Sequence, residues 1–224
     1  MGDADDVKSL ADAIASATEA LTPWIMTAEQ EAAVLVAGSE RKAKAKARWE
    51  RQLDELTPSR YAWATPMAPE LGSRVGHPSP NVWAAAPPTT ASVVIAGPSS
   101  SGKTSLAAAA LRGLVMARKL PISEACFVSS YRLSVARSQS KLGAGEPEEV
   151  LRAMRCGHLV IDDLGQEREN PSSAIADVIF ERHDRELTTW VTTGFTREEV
   201  MRRYGAGVAR RLLDGATSLR LVRP

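Results

Sequence analysis

The sequence predicts an α/β fold in which a five-stranded parallel sheet is covered by helices on both faces. Three observations predict it. From residue 92 onward, short apolar runs alternate with segments of helical periodicity, the pattern that builds parallel sheets. One of those runs, Val93-Val-Ile-Ala96, passes through a Gly-rich turn into an Ala- and Leu-rich helix. Another, His158-Leu-Val-Ile161, ends in the adjacent carboxylates Asp162 and Asp163.

The Gly-rich turn has the spacing G-x-x-x-x-G-K-[ST], which acquires meaning only in such a strand–turn–helix setting. It comprises Gly97, Pro98, Ser99, Ser100, Ser101, Gly102, Lys103 and Thr104, with Ser105 following. Gly97 and Gly102 let the backbone bend until successive N–H groups converge on one anion. The helix beginning near Lys103 adds unpaired amides and the positive end of its dipole. Lys103 is expected at the β- and γ-phosphates of a nucleotide, and the Thr104 hydroxyl in a Mg²⁺ shell. The bland alternative, a Ser/Gly-rich loop that happens to precede a helix, is outweighed by the context. The expected cofactors are ATP and Mg²⁺.

The paired carboxylates suit the same chemistry. A central parallel strand needs consecutive apolar residues, and its C-terminal edge can present acids to a metal. Asp162 is expected to hold Mg²⁺, directly or through water, and Asp163 to orient or deprotonate the attacking water.

The other elements follow in order. The phosphate-loop helix runs from Lys103 to about Lys119 and the second strand is Ala125-Cys-Phe-Val-Ser129. A helix from Tyr131 to Leu142 is broken by Gly143-Ala-Gly145, and Glu146-Pro147 opens the next. After the carboxylate strand come a helix from Pro171 to Glu186 and a strand Thr189–Thr193. Thr196-Arg-Glu-Glu199 reads as a capping box, Tyr204–Leu213 as a further helix and Thr217–Val222 as the last strand. One strand separates the phosphate-loop strand from the carboxylate strand in sequence. NTPases with that order place an extra strand between those two in the sheet, a fold-level analogy.

Upstream, three regions are expected: helical at 1–56, a Pro-rich linker at 57–90 with the domain boundary near 75, and the nucleotide-binding core at 91–224. Asp3 to Ala20 carries apolar residues at helical spacing, and Thr27-Ala-Glu-Gln30 looks like a capping box for a second helix that reaches Leu56 unless Gly38 interrupts it. Its middle, Arg41-Lys-Ala-Lys-Ala-Lys-Ala-Arg48, is basic: a solvated face, or a surface for DNA or a partner. Seven prolines between Pro58 and Pro88 argue against sustained helix or central strand, though Tyr61, Trp63, Met67 and Trp83 imply that part of this stretch packs on a surface.

Composition bounds the rest. With 224 residues, 44% of them apolar, the chain suits one domain and a small appendage. A net charge of +1 supplies no global field for nucleic acid, so any such contact must come from a local patch. Cys126 and Cys156 lack metal-ligand spacing and read as reduced core thiols. No apolar run approaches the length of a membrane span, and the N-terminus lacks the features of a signal sequence. The expectation is a cytoplasmic protein without membrane contact.

Taken together, Gly97-Pro-Ser-Ser-Ser-Gly-Lys-Thr104, Leu159-Val-Ile-Asp-Asp-Leu-Gly165, Trp190-Val-Thr-Thr-Gly194 and Tyr204-Gly-Ala-Gly-Val-Ala-Arg-Arg-Leu-Leu-Asp-Gly215 resemble the AAA+ ATPases of the DnaC/DnaI helicase-loader and IstB transposition-ATPase group. The resemblance covers about Ser92 to Val222 and implies a P-loop NTPase core of AAA+ (ASCE) type without the C-terminal helical lid. It implies that Arg211 is an arginine finger reaching a neighbour's γ-phosphate, with the adjacent Arg210 as the other candidate. Arg182 matches a recurrent Arg of the group to which no role is assigned. One departure stands out: where the group has Asn as its first sensor this chain has Gly194, so Thr193 or Thr192 must substitute or hydrolysis is slow.

The function this implies is an ATP-dependent replicative helicase loader or similar DNA-replication accessory ATPase. Its N-terminal helices would hold a replicative DNA helicase, and its cores would assemble into a ring or spiral on single-stranded DNA. Arg132, Arg137 and Lys141 are candidate phosphate contacts and Tyr131 a stacking platform. The alternative is an IstB-like transposition ATPase that binds duplex DNA and a transposase. A small-molecule phosphoryl transferase and a non-hydrolysing ATP-bound interaction module are weaker alternatives.

Overall fold

The computed structural model describes residues 28–88, 92–141, 143, 145–167 and 174–224. The chain forms two compact units, 1–50 and 51–224. In the first, the helix predicted at Asp3–Ala20 lies outside the described residues. Helix α1 (Ala28–Glu55) begins in this unit and runs through Gly38 without a break. Val34, Leu35 and Val36 on it are exposed.

The second unit is built on strands β1 (Ser92–Ala96), β2 (Ala125–Ser129), β3 (His158–Leu164), β4 (Thr188–Thr193) and β5 (Thr217–Arg220). All pairings are parallel, in the order β2-β3-β4-β1-β5. β4 therefore separates the phosphate-loop strand from the carboxylate strand. Alternation along each strand sends side chains to two cores. Val93, Ile95, Val160 and Trp190 face one, while Val94, Leu159, Ile161 and Val191 face the other. A strand buried on both faces usually reads as an apolar run, which is why β1 and β3 were legible; the central β4 instead buries Thr189, Thr192 and Thr193 beside Trp190 and Val191.

Helix α4 (Lys103–Met116) covers the first core with its run Ala107-Ala-Ala-Ala110, and two short upstream helices, α2 (Leu71–Arg74) and α3 (Pro80–Ala85), lie against it. The second core is closed by α5 (Ser130–Ser138), α6 (Glu148–Arg155), α7 (Ala174–Asp184) and α9 (Ala206–Leu213). Helix α8 (Arg197–Tyr204) precedes α9, and the expected capping box is present on Thr196 and Glu199. The segment expected as one helix from Tyr204 is instead divided at Gly205, whose φ of 86° ends α8. Among the described residues no helix is long and apolar enough to cross a membrane.

The stretch expected as a linker is part of the second unit. Ala64, Ala68, Leu71, Val75 and Ala84 are buried in the first core, and Trp83 stands 5.9 Å from Trp190. Asn81 Nδ2 donates to the carbonyls of Pro66 (2.9 Å) and Ala68 (2.8 Å), tying the stretch to itself. A Cβ on Gly113 would stand 2.5 Å from Pro66 Cγ and 3.0 Å from the Ala84 carbonyl, so the stretch lies directly on α4. The prolines do exclude long elements, but they leave 3₁₀ and single-turn helices open; Pro80 opens α3 as its first residue. Small side chains on both sides then permit close approach. The two units divide at Glu50/Arg51, not near residue 75.

Candidate nucleotide-binding site

The phosphate loop leaves β1 at Ala96 and enters α4 through Gly102. Gly102 has φ 84°, and a Cβ there would stand 2.4 Å from the Arg74 carbonyl oxygen and 2.7 Å from Val75 Cα. Only glycine meets both demands. The Gly76 N–H donates to the Ser101 carbonyl (3.1 Å), so the upstream stretch braces the loop from outside. Helix α4 has no side-chain cap and no acid in its first turn, which leaves its first amides available to an anion.

Lys103 folds back over the loop, its Nζ donating to the carbonyls of Gly97 (3.0 Å) and Pro98 (2.8 Å). Burial lowers its pKa, opposed by the charges of Asp163 and Asp162 nearby. Pro98, Ser99 and Ser100 form the exposed rim. Ser101 is fully buried and its hydroxyl has no hydrogen-bond partner, an orphan oxygen inside the cradle. Thr104 and Ser105 follow in the first turn of α4.

The carboxylates converge on the same edge of the sheet. Asp162 is buried, and burial raises its pKa, with hydrogen bonding from Thr192 opposing. The Thr192 hydroxyl donates to Asp162 Oδ1 at 2.6 Å and accepts the Asp163 N–H at 2.9 Å. The β3–β4 register shifts between Ile161 and Leu164, and Asp163 takes a left-handed φ of 54°. A non-glycine residue there is uncommon and must be held in place. Thr192 holds its N–H, and its carbonyl accepts from Ser130 Oγ (2.7 Å) and the Gln166 N–H (3.0 Å). The Thr104 hydroxyl lies beside Asp162, within reach of hydrogen bonding.

The donor set fits a hard divalent cation. A hydroxyl and a carboxylate oxygen are the ligand types Mg²⁺ takes, with phosphate and water oxygens completing its shell. Among the described residues no group of three or more His, Cys, Asp or Glu could hold a metal by protein ligands alone, so such an ion would depend on the nucleotide.

Two residues at this edge were not singled out for the site. The 3₁₀ turn Ser59–Tyr61 rests near α4; the Tyr61 phenol faces Thr104, and its pKa is raised by burial. Arg60 sits 4.7 Å over the Tyr61 ring and its charge reaches Asp162. The hint in the sequence was the Arg60-Tyr61 pair just after Thr57-Pro58-Ser59, where a linker has no use for an aromatic.

Thr193, offered as a substitute sensor, is spent elsewhere. It is 1% exposed, its hydroxyl donates to the Leu164 carbonyl (2.8 Å), and it accepts the Phe195 N–H (3.0 Å). The neighbouring Thr192 is the one that touches the carboxylates. Gly194 adds no side chain to a hollow of about 750 Å³ beside Gly97 and Pro98.

Arg211 stands apart from this site. Its guanidinium lies 4.5 Å over the Phe180 ring, 3.5 Å from the Gly207 carbonyl and 3.9 Å from Asp184. It lines a hollow with Ser92 and Thr189, at the starts of β1 and β4, whereas the phosphate loop follows the end of β1. Arg210 is exposed. Arg182 has a structural role: it is fully buried and donates to Thr189 Oγ1 (2.9 Å) and to the carbonyls of Ala153 (2.8 Å), Cys156 (2.7 Å) and Thr188. Cys126 and Cys156 are buried free thiols.

The fold, a five-stranded parallel sheet with a phosphate loop after β1, matches that of P-loop AAA+ helicase loaders. The chain is similar in structure to the DnaC helicase loader (TM-score 0.54, 18% identity, covering 73% of this chain and 99% of that one). It is also similar to DnaI (0.57, 18%, 77% and 98%) and to a protein described as a primosome component from Streptococcus pyogenes serotype M3 (0.54, 17%, 76% and 94%). No family model and no curated protein sequence matches it. The resemblance read from the motifs therefore holds at the level of the fold.

Proposed function

We propose that this protein binds and hydrolyses ATP and acts as a replicative helicase loader or a closely similar DNA-replication accessory ATPase. The observation that carries the reading is the convergence, at one sheet edge, of the phosphate loop, the Lys103 ammonium and the Asp162–Asp163 pair keyed by Thr192. Its fold neighbours among helicase loaders support the choice of process.

In this reading the loop amides and the first turn of α4 bind the phosphates. Lys103 exchanges its two carbonyl partners for phosphate oxygens. Thr104 and Asp162 would hold Mg²⁺, which when bound would neutralise charge on the phosphates. Asp163, aimed by its constrained backbone, orients the attacking water. A hollow of about 380 Å³ between Gly72–Pro78 and Val222–Pro224 opens beside the loop and takes the base. Arg211 or Arg210 acts on the nucleotide of a neighbouring copy, since the hollow that Arg211 lines is at the opposite edge of the sheet from its own phosphate loop. Assembly into a ring or spiral then governs turnover, and the N-terminal region holds the helicase.

The test uses the full chain with a fluorescent ATP analogue, an ATPase assay and co-elution with a replicative helicase. Lys103→Ala should weaken nucleotide binding by about 10- to 100-fold, the cost of losing one charged hydrogen-bond donor. Wild-type protein that binds no nucleotide at millimolar concentration overturns the ATPase reading. Nucleotide binding without helicase co-elution overturns the loader reading alone.

A further inference from the structure

Two of the three cations expected to meet nucleic acid are already engaged. Arg132 pairs with Glu149, and Arg137 pairs with Glu146 at 3.0 Å and with Asp177. Both belong to the ion-pair mesh around α5 and α6, where they neutralise protein acids. Lys141 and Tyr131 are exposed, but alone they make no continuous track.

Unspent positive charge is concentrated elsewhere, on α1. Arg41, Lys42, Lys44, Lys46 and Arg48 are all exposed. Among the described residues only Lys46 has an ion-pair partner, Glu50 at 3.8 Å. Since the whole chain carries only +1, five cations within eight residues are a local accumulation that the rest of the molecule offsets.

Their placement around the helix is ordered. At about 100° per residue, Lys44, Arg48 and Arg41 form one row and Lys42 and Lys46 a second. Ala45 and Trp49 fall in the gap between the rows. Glu40 and Glu50 fall outside the cationic arc, which covers roughly 200° of the circumference. Successive cations in a row are about one turn, ~5.4 Å, apart. Trp49 is 36% exposed. A face serving only solubility needs no indole between its cations, whereas a single strand gains affinity from an aromatic on which a base can stack.

We propose that this face of α1 is a docking surface for a single-stranded polynucleotide, its phosphates along the two cation rows and a base on Trp49. A duplex would satisfy the cations but would leave the indole unused, because its base faces are stacked on one another. The inference deepens the loader reading by naming where the strand binds, and rests on that reading only for the strand being DNA.

The experiment is fluorescence anisotropy of labelled (dT)20, (rU)20 and a 20-base-pair duplex with the full chain, from 50 to 200 mM salt. The triple variant Arg41→Gln/Lys44→Gln/Arg48→Gln should bind (dT)20 at least tenfold more weakly. Its slope of log affinity against log salt should flatten by about 2, at ~0.7 per lost contact on a single strand. Trp49→Ala should lose roughly tenfold, and Trp49→Phe should keep most of the affinity. Far-UV circular dichroism confirms that helix content is retained, and ATP-analogue binding should be unchanged in every variant. Wild-type protein that binds no oligonucleotide, a triple variant that binds like wild type, or a duplex that binds as tightly as (dT)20 overturns the proposal. Equal affinity for (rU)20 keeps the surface and removes its selectivity for DNA. Failure of wild type to bind nucleotide would count against the ATPase reading and leave this result standing.

Discussion

The hydroxyl of Thr192 donates a 2.6 Å hydrogen bond to Asp162 Oδ1 while accepting the Asp163 N–H at 2.9 Å. One side chain of β4 thus sets the geometry of both acids on β3. The arrangement is possible because β4 is their immediate neighbour in the sheet and because the β3 register slips at this point. Replacing Thr192 by Val preserves volume and removes both hydrogen bonds. We expect Mg²⁺-dependent ATP binding to weaken about tenfold, as is usual when a group that orients a metal ligand is removed. Thr192→Ser should restore most of it. Titration of nucleotide with and without Mg²⁺ reads the effect, and equal behaviour of Val and wild type would deny Thr192 this role.

The two adjacent arginines of α9 can be separated by experiment. Arg211 is packed on Phe180, and Arg210 is exposed. Charge reversal of the finger should abolish ATP-stimulated assembly and lower turnover by about 10³-fold or more, with ATP affinity of the monomer unchanged. Sedimentation velocity with and without ATP, on Arg210→Glu and Arg211→Glu in parallel, identifies which of them it is. If neither reversal alters assembly, no finger acts from this helix.

His158, buried edge-on against Trp190 at 4.3 Å, has its pKa pushed down to about 4 by burial, with the Arg182 charge adding to it. Unfolded His takes up a proton near pH 6.5, whereas the folded residue stays neutral until about pH 4. Between those values the unfolded chain binds more protons, so stability falls as pH falls. The loss attributable to His158 is about 3 kcal/mol across this window. Asp162, whose pKa is raised by burial, works in the opposite direction by taking up its proton more readily in the folded state. Urea unfolding of wild type and His158→Gln at pH 7 and pH 4.5 isolates the histidine: the pH dependence should be flatter in the variant.

Arg182 holds α7 to the end of α6 and the start of β4 through the buried carbonyls of Ala153 and Cys156 and the part-buried carbonyl of Thr188. Arg182→Lys keeps the charge but cannot reproduce the planar fork. We expect a destabilisation of about 2–4 kcal/mol, from lost charged hydrogen bonds and buried carbonyls left unpaired. Chemical denaturation measures it. An effect below about 0.5 kcal/mol, the level of an ordinary surface change, would refute the structural role.

Several parts of this organisation were legible residue by residue. The apolar cores of β1 and β3 read as unbroken runs, and Gly102 and Lys103 stand at the spacing that a phosphate cradle needs. The Thr196–Glu199 capping box is local, so the sequence shows it directly. The Pro-rich stretch 57–90, expected as a linker partly packed on a surface, contributes more to the core than its aromatics announced. Ala64, Ala68 and Ala84 join Leu71 and Val75 against the alanines of α4, a contact that leaves no periodic trace. Thr193 and Thr192 look equivalent in sequence. Only pairing with β3 shows that one hydroxyl meets a carboxylate and the other a main-chain carbonyl.

By itself, then, the sequence determined the α/β class, the order of the strands along the chain, the phosphate loop and the two acids. Each of these depends on neighbours within a few residues, whose spacing and polarity act through local backbone geometry. The tertiary structure decided what the sheet brings together from afar. It set Thr192 on Asp162, braced the loop with Gly76, assigned Arg182 to the core, and spent Arg132 and Arg137 on protein acids while leaving the α1 cations exposed. Those outcomes turn on strand register and on which charges find partners across the fold, and neither is written in the distance between two residues along the chain.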